Sequence, residues 1–141
     1  MKHGSSLIVA AALALAAGEG RAQETQGLQT PSHNIACMAV AAADGQPAEL
    51  RCDVLQAASR PRGRPRDCDL DWGDAFVLHA SGRGGLMCHG DTVADPSAPV
   101  LDYGRSWSAY GFTCISQTSG LTCRNRQGHG FTLSRAAQTL F

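Results

Sequence analysis

Lysine is almost missing from this sequence: Lys2 is the only one in 141 residues. Every other basic side chain is arginine, and the 12 basic residues are matched by 12 acidic ones, for a formal net charge of zero. That balance sets up no long-range field, so neither nucleic acid nor an anionic membrane surface is expected as a partner. Aromatic residues are scarce too, with four Phe, two Trp and two Tyr. A core this poor in large side chains is expected to lean on covalent cross-links. Beyond Ala17 no apolar run approaches the roughly 20 residues a membrane-crossing helix needs, which excludes membrane insertion by such a helix. No segment after residue 22 keeps a helical apolar period over about eleven residues, so the class is all-β.

What is present begins with an address. Lys2 and His3 give a positive start, Leu7 to Ala17 is a short apolar run, and Gly20-Arg21-Ala22 ends in small residues at the recognition positions. Residues 1–22 therefore read as a secretory signal peptide cut after Ala22. No cysteine stands at the cut, so no lipid anchor is expected there. The remaining chain is expected to be secreted or periplasmic, with ten arginines against eleven acidic residues. Residues 23–31 are polar and patternless and read as a flexible leader. Residues 32–141 are of a size usual for one domain.

Six cysteines follow the signal: Cys37, Cys52, Cys68, Cys88, Cys114 and Cys123. An even count in an exported chain reads as three disulfides, with fifteen possible connectivities. Strand register ranks them. If Cys37 faces Cys52, then Ile35 meets Val54 and Ala39 meets Leu50, all apolar and on one face. If Cys114 faces Cys123, then Ser116 meets Leu121, and the turn ends on Gly120, where positive φ is needed. Cys68 and Cys88 remain, so the cysteines are expected to pair in sequence order. Each bridge is worth about 3 kcal/mol through the unfolded state.

The stretch Gly111 to Ser134 repeats one pattern three times: Gly111-Phe112-Thr113-Cys114, Gly120-Leu121-Thr122-Cys123 and Gly130-Phe131-Thr132-Leu133. Alternation puts the apolar residues and cysteines on one side and the threonines on the other, a three-strand meander. The three-residue loop Arg126-Gln127-Gly128 sets Phe131 opposite Cys123 and Leu133 opposite Leu121. Ser134 is placed to cap one helical turn. Upstream, Asn34–Val40 and Glu49–Leu55 form a hairpin, Ala75–His79 is a strand, and Gly85–His89 returns from it. Residues 90–106 are expected to be an irregular connection. The whole reads as a small antiparallel sandwich or open barrel of about seven strands.

Several stretches carry possible chemistry. Arg62-Gly63-Arg64-Pro65 matches the core of an AT-hook, but it follows a secretion signal and reads as a solvated loop. Asp67, Asp69 and Asp71 are the calcium candidates; counting from Asp67, Trp72 and Leu78 stand where an EF-hand needs glycine and an acid, so that motif is excluded. His89, Asp91 and His129 are the residue types a small hydrolase would use, with Ser134 nearby, yet no nucleophile elbow accompanies them. The histidines lack the close spacing of a zinc site, so neither metal nor cofactor is expected. Trp72, Tyr103 and Trp107 flank irregular segments, where aromatic side chains hold sugars or partner proteins.

Pro31-Ser32-His33-Asn34-Ile35-Ala36-Cys37, Arg51-Cys52-Asp53, Cys68-Asp69-Leu70-Asp71-Trp72-Gly73 and Cys88-His89-Gly90-Asp91-Thr92 together resemble a domain-of-unknown-function family of small secreted bacterial proteins. So do Tyr103-Gly104 and Gly128-His129-Gly130-Phe131 with Leu133-Ser134-Arg135, His33 standing where that family usually has glycine. The resemblance implies a secreted, cysteine-bridged single domain and implies no activity. The resulting expectation is a monomeric, non-catalytic binding module for an extracellular protein or glycan, including inhibition of a foreign enzyme. The alternative is a small secreted hydrolase using His89 and Asp91.

Overall fold

The computed structural model describes residues 22–141. The signal peptide expected over residues 1–22 therefore lies, except for Ala22, outside the described residues. Ten strands build two open five-stranded antiparallel sheets, each a meander in sequence order. The first holds β1 (Thr25–Gln29), β2 (Ile35–Val40), β3 (Glu49–Val54), β4 (Ala75–His79) and β5 (Gly85–Leu86). The second holds β6 (Ser106–Ala109), β7 (Phe112–Gln117), β8 (Gly120–Arg124), β9 (Gly130–Leu133) and β10 (Gln138–Leu140). The protein is all-β, and no helix forms among the described residues.

The inward faces of both sheets meet in one core. Leu50, Cys52, Val54, Phe76 and Leu78 from the first pack with Phe112, Cys114, Leu121, Phe131 and Leu133 from the second. Phe76 and Phe131 lie 6.2 Å apart between ring centroids, tilted at 57°, an edge-biased geometry that aromatic pairs favour. At one end the sheets are tied by Asn125, whose Nδ2 donates to the carbonyls of His79 and Gly82 at 3.1 and 2.9 Å. A side chain at Gly130 is excluded, because a Cβ there would run into the Cys123 carbonyl.

The registers are those the apolar pattern predicts: Ile35 opposite Val54, Cys37 opposite Cys52 and Ala39 opposite Leu50. In the second sheet Cys114 faces Cys123 and Ser116 faces Leu121, while Cys123 faces Phe131 and Leu121 faces Leu133. Gly120 closes its turn at φ 146°. The three disulfides join Cys37 to Cys52, Cys68 to Cys88 and Cys114 to Cys123.

Three expectations need correction. The leader expected over 23–31 contains strand β1, paired with β2 from Thr25↔Val40 to Gln29↔Ala36. Its one apolar anchor, Leu28, is buried; an edge strand with a single inward side chain leaves no alternation to read. Second, Ser134 caps no helix. Its Oγ donates to the Ala137 carbonyl and accepts from the Ala137 N–H, both at 3.0 Å, closing the turn between β9 and β10. Third, the strands number ten rather than about seven, because β1, β6 and β10 extend the expected hairpins at sheet edges.

The connection from β5 to β6 is irregular, as expected, but it has a definite course. His89 pairs with Asp71 through two backbone hydrogen bonds, and Asp91 to Val93 then lie against β3. Pro99 and Leu101 bond to the backbone of Gln29 in β1. The segment is thus a strap across the outer face of the first sheet. It buries Arg51 and Asp53, so β3 is covered on both faces.

Candidate functional site

Two places in the fold collect polar side chains. The first is the strap over β3. Arg51 and Asp53 alternate with Leu50, Cys52 and Val54, so they must point outward, away from the disulfide core. Arg51 Nε donates to Asp53 Oδ1 at 2.8 Å and Nη2 to Asp53 Oδ2 at 3.1 Å, a two-pronged pair. Its Nη1 reaches Asp91 Oδ1 and its Nη2 the Asp91 carbonyl, each at 2.8 Å. Asp53 Oδ2 also accepts from the Thr92 hydroxyl and the Val93 N–H, both at 3.0 Å. Burial works against the Arg51 cation, yet hydrogen bonds and charge from Asp53 and Asp91 outweigh it and hold its pKa above the ordinary value.

His89 continues the same network. Its Nδ1 lies 2.7 Å from the Asp91 carbonyl and its Nε2 2.7 Å from Asp74 Oδ1. A carbonyl and a carboxylate only accept, so both ring nitrogens are placed to donate, the arrangement of an imidazolium. Burial opposes the charge, but Asp74 and the Asp91 carbonyl prevail and raise the pKa. Asp74 in turn meets Arg60 at 3.3 Å. The Asp91 carboxyl is held below its usual range, first by its hydrogen bond from Arg51 and then by that cation's charge.

These contacts define what the expected hydrolase residues do. His89 and Asp91 are neighbours, but the Asp91 carboxylate is turned to Arg51 and only its carbonyl reaches the ring. Both imidazole nitrogens are engaged, and among the described residues no hydroxyl hydrogen-bonds to them. His129 is not brought to this place; it sits in the β8–β9 hairpin of the other sheet, its N–H on Asn125 Oδ1. The arrangement pins a strap, and its one hydroxyl, that of Thr92, donates to Asp53 rather than to His89.

The calcium candidates Asp67, Asp69 and Asp71 are all exposed, and Asp71 uses its backbone to hold His89. Among the described residues no three His, Cys, Asp or Glu side chains converge as metal ligands would. Arg64 of the AT-hook-like stretch and Arg60 just before it fold back on this acidic segment: Arg60 pairs with Asp74, and Arg64 Nε donates to the Cys68 carbonyl at 2.7 Å.

The second place is a cleft of about 410 Å3 where the inner strands of the two sheets end, opposite the Asn125 tie. One wall is the turn before β2 (Ser32, His33, Asn34) with Leu55 and Gln56 after β3; the other is the β7–β8 turn (Gln117, Thr118, Gly120). Tyr103, Ser134 and Arg135 complete it. Arg135 is held there because the Ala58 N–H donates to its carbonyl at 2.8 Å. Asn34 is fixed by the Gln56 backbone, which donates to its Oδ1 at 2.7 Å and accepts from its Nδ2 at 3.0 Å. Gln29 Nε2 points at two carbonyls, so its Oε1 faces His33 Nδ1 at 2.7 Å. That fixes the proton on Nδ1 and leaves Nε2 free.

The three aromatic candidates are separated. Tyr103 is 46% exposed and lines the cleft. Trp107 is half-buried, packs on the core and lines a different, apolar groove with Leu28, Val100 and Leu101. Trp72 is half-buried with its indole Nε1 sealed from solvent. Of the cleft residues, only Tyr103 is among the expected binding residues. Arg135, Gln56, Gln117 and Thr118 come from three separate turns, and no local pattern links them. Of the stretches that carry the family resemblance, those at 51–53, 68–73 and 88–92 adjoin the strap network, those at 31–37, 103–104 and 133–135 reach the cleft, and 128–131 lies in the β8–β9 hairpin away from both.

The chain belongs to a family of unknown function, DUF6636, which it matches over residues 5–141. Among curated proteins and among solved structures, none matches it.

Proposed function

We propose that this chain is a non-catalytic binding module that works outside the cytoplasm, in the periplasm or the medium, and holds an envelope or extracellular partner in the cleft between its sheets. The observation that carries this reading is a division of labour. Of the residues that suggest catalysis, His89 and Asp91 are consumed in holding the strap, whereas the cleft combines an exposed Tyr103 with the Gln56, Gln117, Thr118 and Arg135 side chains, which have no partner among the described residues. Clefts of about 300–1,000 Å3 with a few convergent polar groups are the usual form of a ligand site. Three disulfides fit an oxidising compartment and no free cysteine accompanies them among the described residues.

The test is a binding screen of the disulfide-bonded protein on immobilised glycans and peptides, with Tyr103→Ala and His89→Gln alongside. Tyr103→Ala is expected to lose most of the binding and His89→Gln to keep it. Turnover of an ester, amide or glycoside that disappears in His89→Gln would refute the reading in favour of the hydrolase.

A further inference from the structure

The lining of the cleft narrows what it can hold. Among the described residues its ionisable groups besides the Tyr103 phenol are His33 and Arg135, and no carboxylate lines it. Among the described residues the Arg135 guanidinium makes no ion pair and no side-chain hydrogen bond; the same holds for Arg62, Arg66, Arg83, Arg105 and Arg126, but of these Arg135 alone lines this cleft. An arginine with all five donors unspent, in a cleft without acids, is matched to an incoming carboxylate, which it can grip with two parallel hydrogen bonds.

The remaining groups set the rest of the ligand. Gln56 and Gln117 offer side-chain amides and Thr118 a hydroxyl, all without partners among the described residues. Each amide both donates and accepts, which suits a dense array of hydroxyl groups. Tyr103 supplies a flat amphipathic face. A peptide strand would be read differently, by adding to a free sheet edge. The cleft walls are the ends of β2, β3, β7 and β8, which are inner strands of their sheets and already paired on both sides. No backbone edge is open to a peptide there.

We propose that the cleft binds a carboxylate-bearing saccharide, with Arg135 on the carboxylate, Tyr103 against the sugar ring, and Gln56, Gln117 and Thr118 on its hydroxyls. This rests on the reading of the protein as a binding module and names the class of its ligand. The volume suits a short oligosaccharide segment held at one acidic ring.

Calorimetric titration of the disulfide-bonded protein with a tetragalacturonate, with the fully methyl-esterified tetrasaccharide and with a neutral galactose tetrasaccharide tests it. The acid form is expected to bind, and esterification or Arg135→Gln to weaken it at least tenfold; Tyr103→Ala does the same. Both side chains are exposed, so thermal midpoints of the variants should match the parent, and mapping of amide shifts should place the ligand at residues 32–35, 56, 117–120 and 135. Equal binding of the ester and the acid, or binding indifferent to Arg135→Gln, overturns the acidic-sugar assignment while leaving a module that recognises neutral glycans. Binding of arrayed peptides in the cleft instead of any sugar overturns the saccharide class and spares the module. If none of the three tetrasaccharides and no arrayed peptide shifts the cleft amides, both readings fall.

Discussion

The outer faces of the two sheets are built on opposite principles. In the second sheet β7 alternates cleanly, with Phe112, Cys114 and Ser116 buried and Thr113, Ile115 and Gln117 exposed. Thr122 and Thr132 share a hydrogen bond at 2.9 Å across that open face. In the first sheet β3 is buried from Leu50 to Val54 without a break, because the strap covers the side that should be wet. Its outward residues are a charged pair rather than apolar ones. A second hydrophobic layer would have needed apolar residues in the strap; this strap brings Asp91, Thr92 and backbone amides instead. The difference teaches that the same alternation of side chains supports a bare sheet or a sealed polar layer, depending on what a distant segment does.

The sharpest way to break the comparison is to remove Arg51. Arg51→Ala leaves the Asp53 carboxylate buried without its counter-charge, and such losses cost about 3–5 kcal/mol. Denaturant unfolding measures this, and the double variant Arg51→Met with Asp53→Leu should recover part of it, since the unpaired charge goes too. A change within about 0.5 kcal/mol for Arg51→Ala would mean that the strap does not seal the pair in solution.

Disulfide removal separates the two faces next. Replacing Cys114 and Cys123 by alanine, both fully buried in the core, should lower stability by about 2–4 kcal/mol in the whole domain. Replacing Cys68 and Cys88 should act locally. Hydrogen exchange at Asp71 and His89 amides should quicken, while β7 and β8 amides keep most of their protection. Uniform loss of protection in both variants would show strap and core to be one cooperative unit.

The pH dependence should belong to the strapped face alone. His89 has a raised pKa in the folded protein, so its stabilising share is complete below the unfolded value of about 6.5 and is lost as pH rises through the folded value. Asp91 has a lowered pKa. Its share is present above the unfolded value near 3.9 and is lost as pH falls through the folded one. Denaturant midpoints should therefore decline as pH rises above about 6.5, and His89→Gln should flatten that arm; a slope unchanged by the substitution would remove His89 from the strap's charge network. The smallest effect is expected on the bare face, where Thr122→Ala should stay within about 0.5 kcal/mol of the parent. A larger loss there would mean that the threonine pair is sealed as the Arg51 pair is.

The same comparison explains how much was legible. Where both partners of a hairpin lie close in sequence and their apolar residues alternate, register followed from pattern: the pairs Cys37–Cys52 and Cys114–Cys123, and Phe131 against Cys123, are of this kind. β1 was invisible because only Leu28 anchors it and its pairing energy comes from β2. Arg51 and Asp53 stood in the sequence as a charged pair inside an apolar strand, a signal that something polar must cover them, but not what. His89 and Asp91 were singled out for their types, and which atoms face them, Asp74 and a backbone carbonyl for the ring and Arg51 for the carboxylate, only the fold sets. At the cleft, Tyr103 was the one residue expected to bind, since Arg135 and the Gln56 and Gln117 amides reach it from turns as far apart as residues 56 and 135.

By itself, then, the sequence determined the all-β class, the pairing of its cysteines and the face each inner strand turns to the core. These are local matters, set by a two-residue period and by short loops whose closure entropy is small. Only the tertiary structure decided that Asp91 to Val93 lie against β3, that the His89 ring spans Asp74 and the Asp91 carbonyl, and that Arg135 and Tyr103 line one cleft. Contacts between residues far apart in the chain leave no periodic trace in it, because they are chosen by the fit of whole layers once the sheets exist.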